Sequence, residues 1–194
     1  DDMGFWTLGS AGNRDAVTQN LDEMAREGCI AENFFCSSPV CSPARATLLT
    51  GRMPSMHGIL DWILRGNIKN EGEIPIEYLN DFKGYTDYLS EAGYICGLSG
   101  KWHLGDSQKQ QKGFSHWYVH QSGGGSYYDA PMIREGKRVC EQGYITELIT
   151  RDAVRFLNEH AGKNAPFYLG VNFTAPHTPW IPNHPPKYLG LYRD

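Results

Sequence analysis

An α/β fold, with a mainly parallel central sheet flanked by helices, is what this sequence predicts. Helical and strand-like stretches alternate along it, and they run into three segments that carry reactive side chains, around Cys41, around Lys101 and His103, and around His177. Strands that alternate with helices tend to pair in parallel, and such sheets bind ligands outside the carboxyl ends of their strands. All three reactive clusters fall at positions of that kind. The chain has 194 residues, 40% hydrophobic and 21% charged, which suffices for a sizeable core in one domain.

The first residues, Asp1-Asp2-Met3-Gly4, place two acids side by side, a pattern that is usually just solvated. Thr18 to Gly28 predicts a helix, because Leu21, Met24 and Ala25 recur at helical spacing and Gly28 ends it. Cys29 to Phe35 reads as a short strand leading to Ser37-Ser38-Pro39. In the string from Cys41 to Arg52, Ser42 is the expected helix N-cap and Pro43 suits the first helical position. Ala44 to Thr50 then forms the helix, and Gly51 supplies the left-handed residue that closes it. Cys41 is thereby expected just ahead of a helix N-terminus, where unpaired N–H groups and the dipole favour negative charge. Arg45, in the first turn, reaches back toward the same point. A cysteine before a helix is more often a small buried hydrophobe. Combined with the arginine and the helix start, it makes a site for a tetrahedral oxyanion.

Met53 to Gly58 is expected as a loop, with His57 in a structural or pocket-wall role, and residues 60–83 as loop with little regular structure. Thr86 caps a helix through Ala92, with Tyr88, Leu89 and Ala92 on one face. Tyr94 to Ser99 is a buried strand that feeds Gly100-Lys101-Trp102-His103-Leu104-Gly105. Lys101 and His103 would share one face of an extended backbone. The flanking glycines let that backbone approach a ligand closely. Residues 106–142 read as an insertion beside the pocket. Gly123-Gly124-Gly125 is no phosphate-binding loop, since no Lys-Ser/Thr follows it. The aromatic and histidine side chains around it suit a sugar ring and equally suit the packing of a loop. Tyr144 to His160 is an amphipathic helix with Ile145, Leu148, Ile149, Ala153, Phe156 and Leu157 inward. Phe167 to Phe173 is a strand apolar enough to be central, and it leads to His177 on a stiff loop between Pro176 and Pro179.

Net charge of −4 argues against nucleic acid or an anionic membrane as a general partner. No apolar run approaches the ~18 residues of a membrane span. The five cysteines form no Cys-x-x-Cys pair and are too sparse for a disulfide framework.

Four motifs together resemble the formylglycine-dependent sulfatases of the alkaline-phosphatase-like superfamily. They are Asp1-Asp2-Met3-Gly4, the Cys-x-Pro-x-Arg string with its Thr50-Gly51-Arg52 ending, Gly100 to Gly105, and Pro176-His177-Thr178-Pro179. One departure is Thr18-Gln19-Asn20-Leu21-Asp22, where the family has proline second. The resemblance implies the family's sandwich, with residues 1–194 as the N-terminal part of its catalytic domain. The family's downstream metal ligands and second active-site lysine have no counterpart here. It further implies that a maturation enzyme oxidises Cys41 to formylglycine, and that Asp1, Asp2 and the modified Cys41 ligate Ca²⁺, or Mg²⁺. Arg45 and Lys101 would hold the sulfate, His103 would support the formylglycine hydrate, and His177 would stand at the leaving oxygen. The implied substrate is a sulfated small molecule or carbohydrate, and the implied location is exported: periplasmic, secreted or lysosomal. Two rivals are a phosphonate or phosphate ester hydrolase on the same fold and a non-catalytic domain that binds sulfated glycans.

Overall fold

Small residues decide how the central strand is covered. Ile95–Gly100 (β1) alternates Cys96 and Leu98 toward one face with Gly97 and Ser99 toward the other. A Cβ added at Gly97 would meet the Phe156 ring at 2.8 Å, so the missing side chain lets a helix lie directly on the strand. The computed structural model describes residues 1–68, 72, 74–180 and 183–192.

β1 pairs in parallel with Phe114–His120 (β2) on one side and Phe167–Asn172 (β5) on the other, with Leu98 opposite Trp117 and Gly170. Pro131–Arg134 (β3) and Lys137–Cys140 (β4) add an antiparallel hairpin to β2, giving the order β4-β3-β2-β1-β5. The expected α/β architecture is therefore present, parallel at its centre and antiparallel at one margin. Six α-helices are described: Gln19–Glu27 (α1), Cys41–Thr50 (α2), Pro54–His57 (α3), Tyr85–Glu91 (α4), Ile145–His160 (α5) and Pro186–Leu189 (α6). None is long and apolar enough to cross a membrane.

Two cores sandwich the sheet. Ala46 and Leu49 of α2 pack with Leu98, Trp102, Phe114, Trp117 and Val119 on one face. On the other, Ile145, Leu148 and Ile149 of α5 pack with Tyr118, Met132 and Tyr127. Ser99 donates its hydroxyl to the Ile149 carbonyl at 3.2 Å and so joins β1 to α5.

Several expectations need correction. Cys29 to Phe35 forms no strand, since no neighbouring backbone among the described residues pairs with it, and Phe34 and Phe35 are exposed. Residues 106–142, expected as an insertion beside the pocket, carry three of the five strands among the described residues. β5, expected as central, is the last strand in the order, and Gly170 is its one buried residue. Pro54–His57 is a single helical turn rather than loop. Of the expected loop 60–83, residues 69–71 and 73 lie outside the described residues. α4 starts after Gly84, whose N–H is accepted by Asp87 at 2.7 Å, while Thr86 is buried inside the first turn instead of capping it. Leu157 of α5 points largely outward, and the inward face carries Asp152 instead.

Asp152 is 3% exposed and accepts from His116 Nε2 (2.9 Å), Arg134 Nη1 (2.6 Å) and Arg155 Nη2 (2.7 Å). Burial alone would raise its pKa. Hydrogen bonds from His116, Arg155 and Arg134 outweigh that and hold the carboxyl well below the usual carboxylate range. A depressed folded pKa contributes stability above the unfolded value, near ~3.9, and that stability is lost as pH falls toward the folded value. Denaturant midpoints should therefore fall between about pH 4 and pH 2. Asp152→Asn should lower the midpoint at neutral pH and flatten that acid limb. An acid limb of unchanged slope in the variant would contradict the assignment.

Candidate active site

α2 begins at Cys41 itself, two residues earlier than expected. Val40 is its N-cap, and the Ala44 N–H reaches the Val40 carbonyl at 3.1 Å. Ser42 is not the cap because its hydroxyl is used elsewhere: it is fully buried and accepts the Ile63 N–H at 3.1 Å. Pro43 still lies in the first turn, where no donor is required. Gly51 closes the helix at φ 68°, as the sequence predicts. Cys41 thus occupies the first helical position, among the free N–H groups.

His103 meets the thiol, with Nδ1 3.3 Å from Cys41 Sγ. Its Nε2 is 3.0 Å from the Ile63 carbonyl, which can only accept, so Nε2 carries a proton there and Nδ1 is the ring nitrogen turned to Cys41. The Ile63 peptide therefore ties the start of α2, through Ser42, to the His103 ring. The backbone around His103 is not extended as expected. His103 has φ 57°, and this left-handed turn swings the ring back toward Cys41. Gly123 packs so tightly on the ring that a Cβ there would lie 2.0 Å from it.

Lys101 and Arg45 converge on Asp1. Lys101, 1% exposed, pairs with Asp1 Oδ2, and Arg45 Nη2 lies 2.7 Å from Asp1 Oδ1. Arg45 Nη1 and the Asn172 amide both donate to the Lys101 carbonyl, at 2.9 and 3.1 Å. This crossing requires Gly100, at φ 115°, where a Cβ would sit 2.1 Å from the Asn172 carbonyl oxygen. Burial lowers both cations, Arg45 to about 10 and Lys101 below the usual lysine range. The buried Arg45 Nε has no hydrogen-bond partner among the described residues. Two buried cations and the one carboxylate they share thus lie close to the start of α2. A cleft of about 680 Å³ opens against it, lined by Asp1, Cys41, Arg45, Phe35, Trp102 and Asn172 among others.

His177 lies in a loop with cis peptides before Pro176 and Pro179. Its Nδ1 donates to the Thr178 carbonyl at 2.7 Å, and Nε2 lies 3.7 Å from Asp2 Oδ2. Asp2 is exposed and takes φ 62°. Asp1 and Asp2 have the hard oxygen donors that Ca²⁺ or Mg²⁺ prefers, but two carboxylates do not complete the roughly six to eight oxygens of a calcium shell. Among the described residues no cluster of three or more His, Cys, Asp and Glu side chains could hold a metal. The pair fits one side of such a site. His57 is structural: it is buried, lies 3.2 Å from the Thr47 hydroxyl and accepts the Ile59 N–H.

Sequence reasoning missed Ile63, and it weighed His120 and Tyr127 only as sugar-facing or loop-packing side chains, without their link to the His177 loop. His120 Nε2 bonds the Thr174 hydroxyl at 2.7 Å, and Tyr127 donates to the His177 carbonyl. Burial, with Lys101 and Arg45 adding to it, pushes His120 down to about 4, so it is neutral at neutral pH.

A model of the Sulfatase family matches residues 1–194. The chain belongs to the sulfatase family. Among sulfatase relatives, it is 32% identical to the N-acetylglucosamine-6-O-sulfatase of Bacteroides thetaiotaomicron, over all of this chain and 32% of that protein. It is 31% identical to the N-acetylgalactosamine-6-sulfatase of Mus musculus, over 92% of this chain and 39% of that one. A structure solved with its substrate D-glucosamine-2-N,6-O-disulfate superposes with a TM-score of 0.79 at 31% identity, over 99% of this chain and 36% of that one. The sheet between helices is thus part of the alkaline-phosphatase-like sulfatase fold. The chain spans about a third of the length of these relatives.

Proposed function

We propose that the whole protein hydrolyses sulfate esters on sugars or glycans, with Cys41 converted to formylglycine. The observation that carries this reading is Cys41 at the first position of α2, with His103 Nδ1 at 3.3 Å and the buried cations Arg45 and Lys101 beside it. The sugar-6-sulfatase names of the relatives and the sulfated glucosamine held by the structural neighbour support the substrate class.

Hydrated by one water, the formylglycine aldehyde supplies two geminal hydroxyls, one to attack sulfur and one whose deprotonation later expels the sulfate and re-forms the aldehyde. Arg45 and Lys101 bind sulfate oxygens in a site where burial strengthens each contact. His103 Nδ1 takes the proton of the second hydroxyl, and His177 Nε2 gives a proton to the departing sugar oxygen. Asp1, Asp2 and the oxygen at position 41 would hold Ca²⁺ or Mg²⁺, which supplies charge against the sulfate and the attacking oxygen when bound. Modification by a maturation enzyme and an exported location, as is the family's habit, belong to the same proposal.

The test uses the whole protein from a host that installs formylglycine, assayed for inorganic sulfate released from N-acetylglucosamine 6-sulfate. Thorough chelation should lower turnover on the order of 10²-fold or more, and Ca²⁺ should restore it. A calorimetric Ca²⁺ titration should show one site in the parent and a weakened site in Asp2→Asn. Turnover of the matching phosphate ester at an equal rate would favour the phosphoesterase rival. Glycan binding without turnover in fully modified protein would favour the binding domain.

A further inference from the structure

His177 is held largely by its backbone, and two residues of that holding, His120 and Tyr127, come from the segment 106–142 that the proposed chemistry leaves unused. Its N–H donates to the Thr174 carbonyl at 2.9 Å, and Thr174 is itself bonded to buried His120 at the end of β2. Its carbonyl accepts the Tyr127 hydroxyl. Its Nδ1 is occupied by the Thr178 carbonyl. With those three groups bonded, Nε2 is the ring nitrogen turned toward Asp2.

Tyr127 is itself fixed. It is 1% exposed, and its carbonyl accepts the Ile145 N–H at 2.8 Å, where α5 begins. Its ring stacks on Tyr144, with centroids 6.0 Å apart and planes 20° apart, and meets His184 edge-on at 5.2 Å. Those contacts need the ring but not the hydroxyl. The hydroxyl reaches across to one atom, the carbonyl oxygen of His177.

We propose that Tyr127 is a positioning residue, whose hydroxyl fixes the His177 loop so that Nε2 faces the leaving group. The proposal rests on the reading of His177 as the proton donor. A rigidly held donor matters because small misplacements of a proton-transfer group cost rate while leaving substrate affinity intact.

The experiment is a double-mutant cycle on the formylglycine-containing whole protein, using Tyr127→Phe, His177→Ala and both together. Phenylalanine keeps the stacked ring, so the single variant should fold. On N-acetylglucosamine 6-sulfate, Tyr127→Phe should lower kcat about three- to tenfold with KM within about twofold, the scale of one lost hydrogen bond. On 4-nitrophenyl sulfate, whose leaving group needs no proton, the loss should stay under about twofold. In the His177→Ala background the Tyr127 change should cost nothing further, because the group it aims is gone. Equal losses in both backgrounds, or no loss in the parent, would overturn the proposal, since a purely structural hydroxyl lowers the melting midpoint and acts additively. The His177→Ala single variant reports separately on the donor reading. If its losses are alike on both esters, that reading falls, while coupling between the two residues would still assign Tyr127 to His177.

Discussion

Cys41→Ala is expected to lower turnover on the order of 10⁶-fold, the scale at which loss of a hydrolase nucleophile abolishes activity. Substrate binding should fall far less than turnover, by what the position-41 oxygen contributes to the proposed metal site. The Cys41 thiol touches the His103 ring, while Arg45 and Lys101 are held by Asp1 and by crossed backbone contacts that alanine leaves in place. Cys41→Ser separates the halves of the reaction. A serine hydroxyl can attack sulfur, but its sulfate ester has no second hydroxyl to expel the product, so one equivalent should be released and then no more. Peptide mass spectrometry of the active protein should find an aldehyde in place of the thiol at position 41. Cys29, Cys36 and Cys140 are exposed, and Cys96 lies in the core, so replacing them should leave the chemistry intact. Full activity from a protein whose Cys41 is still a thiol would end the formylglycine reading.

α1, α5, β1 and β5 were legible because their signals are local: apolar spacing, or a short apolar run bounded by glycine or proline. β2 was not, because its alternation is disguised. His116 and His120 read as polar, yet the first is spent on Asp152 and the second on Thr174, partners 36 and 54 residues away. The β3–β4 hairpin was hidden by its turn. Glu135 and Gly136 take φ of 47° and 80°, where such two-residue turns more often advertise themselves with Asn-Gly or Asp-Gly. At the site, the reactive residues sit in compact motifs that carry their own backbone requirements, such as Gly51 and Gly100. Ile63 and Tyr127 act on atoms far along the chain, one through its peptide and the other through its hydroxyl, and no spacing rule marks them. The start of α2 was misjudged for a related reason, since Ser42 has the chemistry of a cap but spends its hydroxyl on Ile63.

His177→Ala should lower turnover of a sugar sulfate by about 10²–10⁴-fold, the usual worth of general acid catalysis. The geometry motivates the role. With Nδ1 donating to the Thr178 carbonyl, a proton on the ring's other nitrogen faces Asp2, the neighbour of the Asp1 that pairs with Arg45 and Lys101. A departing sugar alkoxide is a poor leaving group and needs that proton as the S–O bond breaks. A nitrophenolate does not, because its parent phenol is acidic. The same variant should therefore lose far less on 4-nitrophenyl sulfate, and across a series of aryl sulfates the deficit should grow as the parent phenol weakens as an acid. His177→Gln sharpens the comparison, since glutamine can hydrogen-bond to an ester oxygen but cannot transfer a proton. If the ring only braces the loop or orients the substrate, every ester should suffer alike. A loss independent of leaving group in both variants would remove the acid role and leave His177 as part of the binding wall.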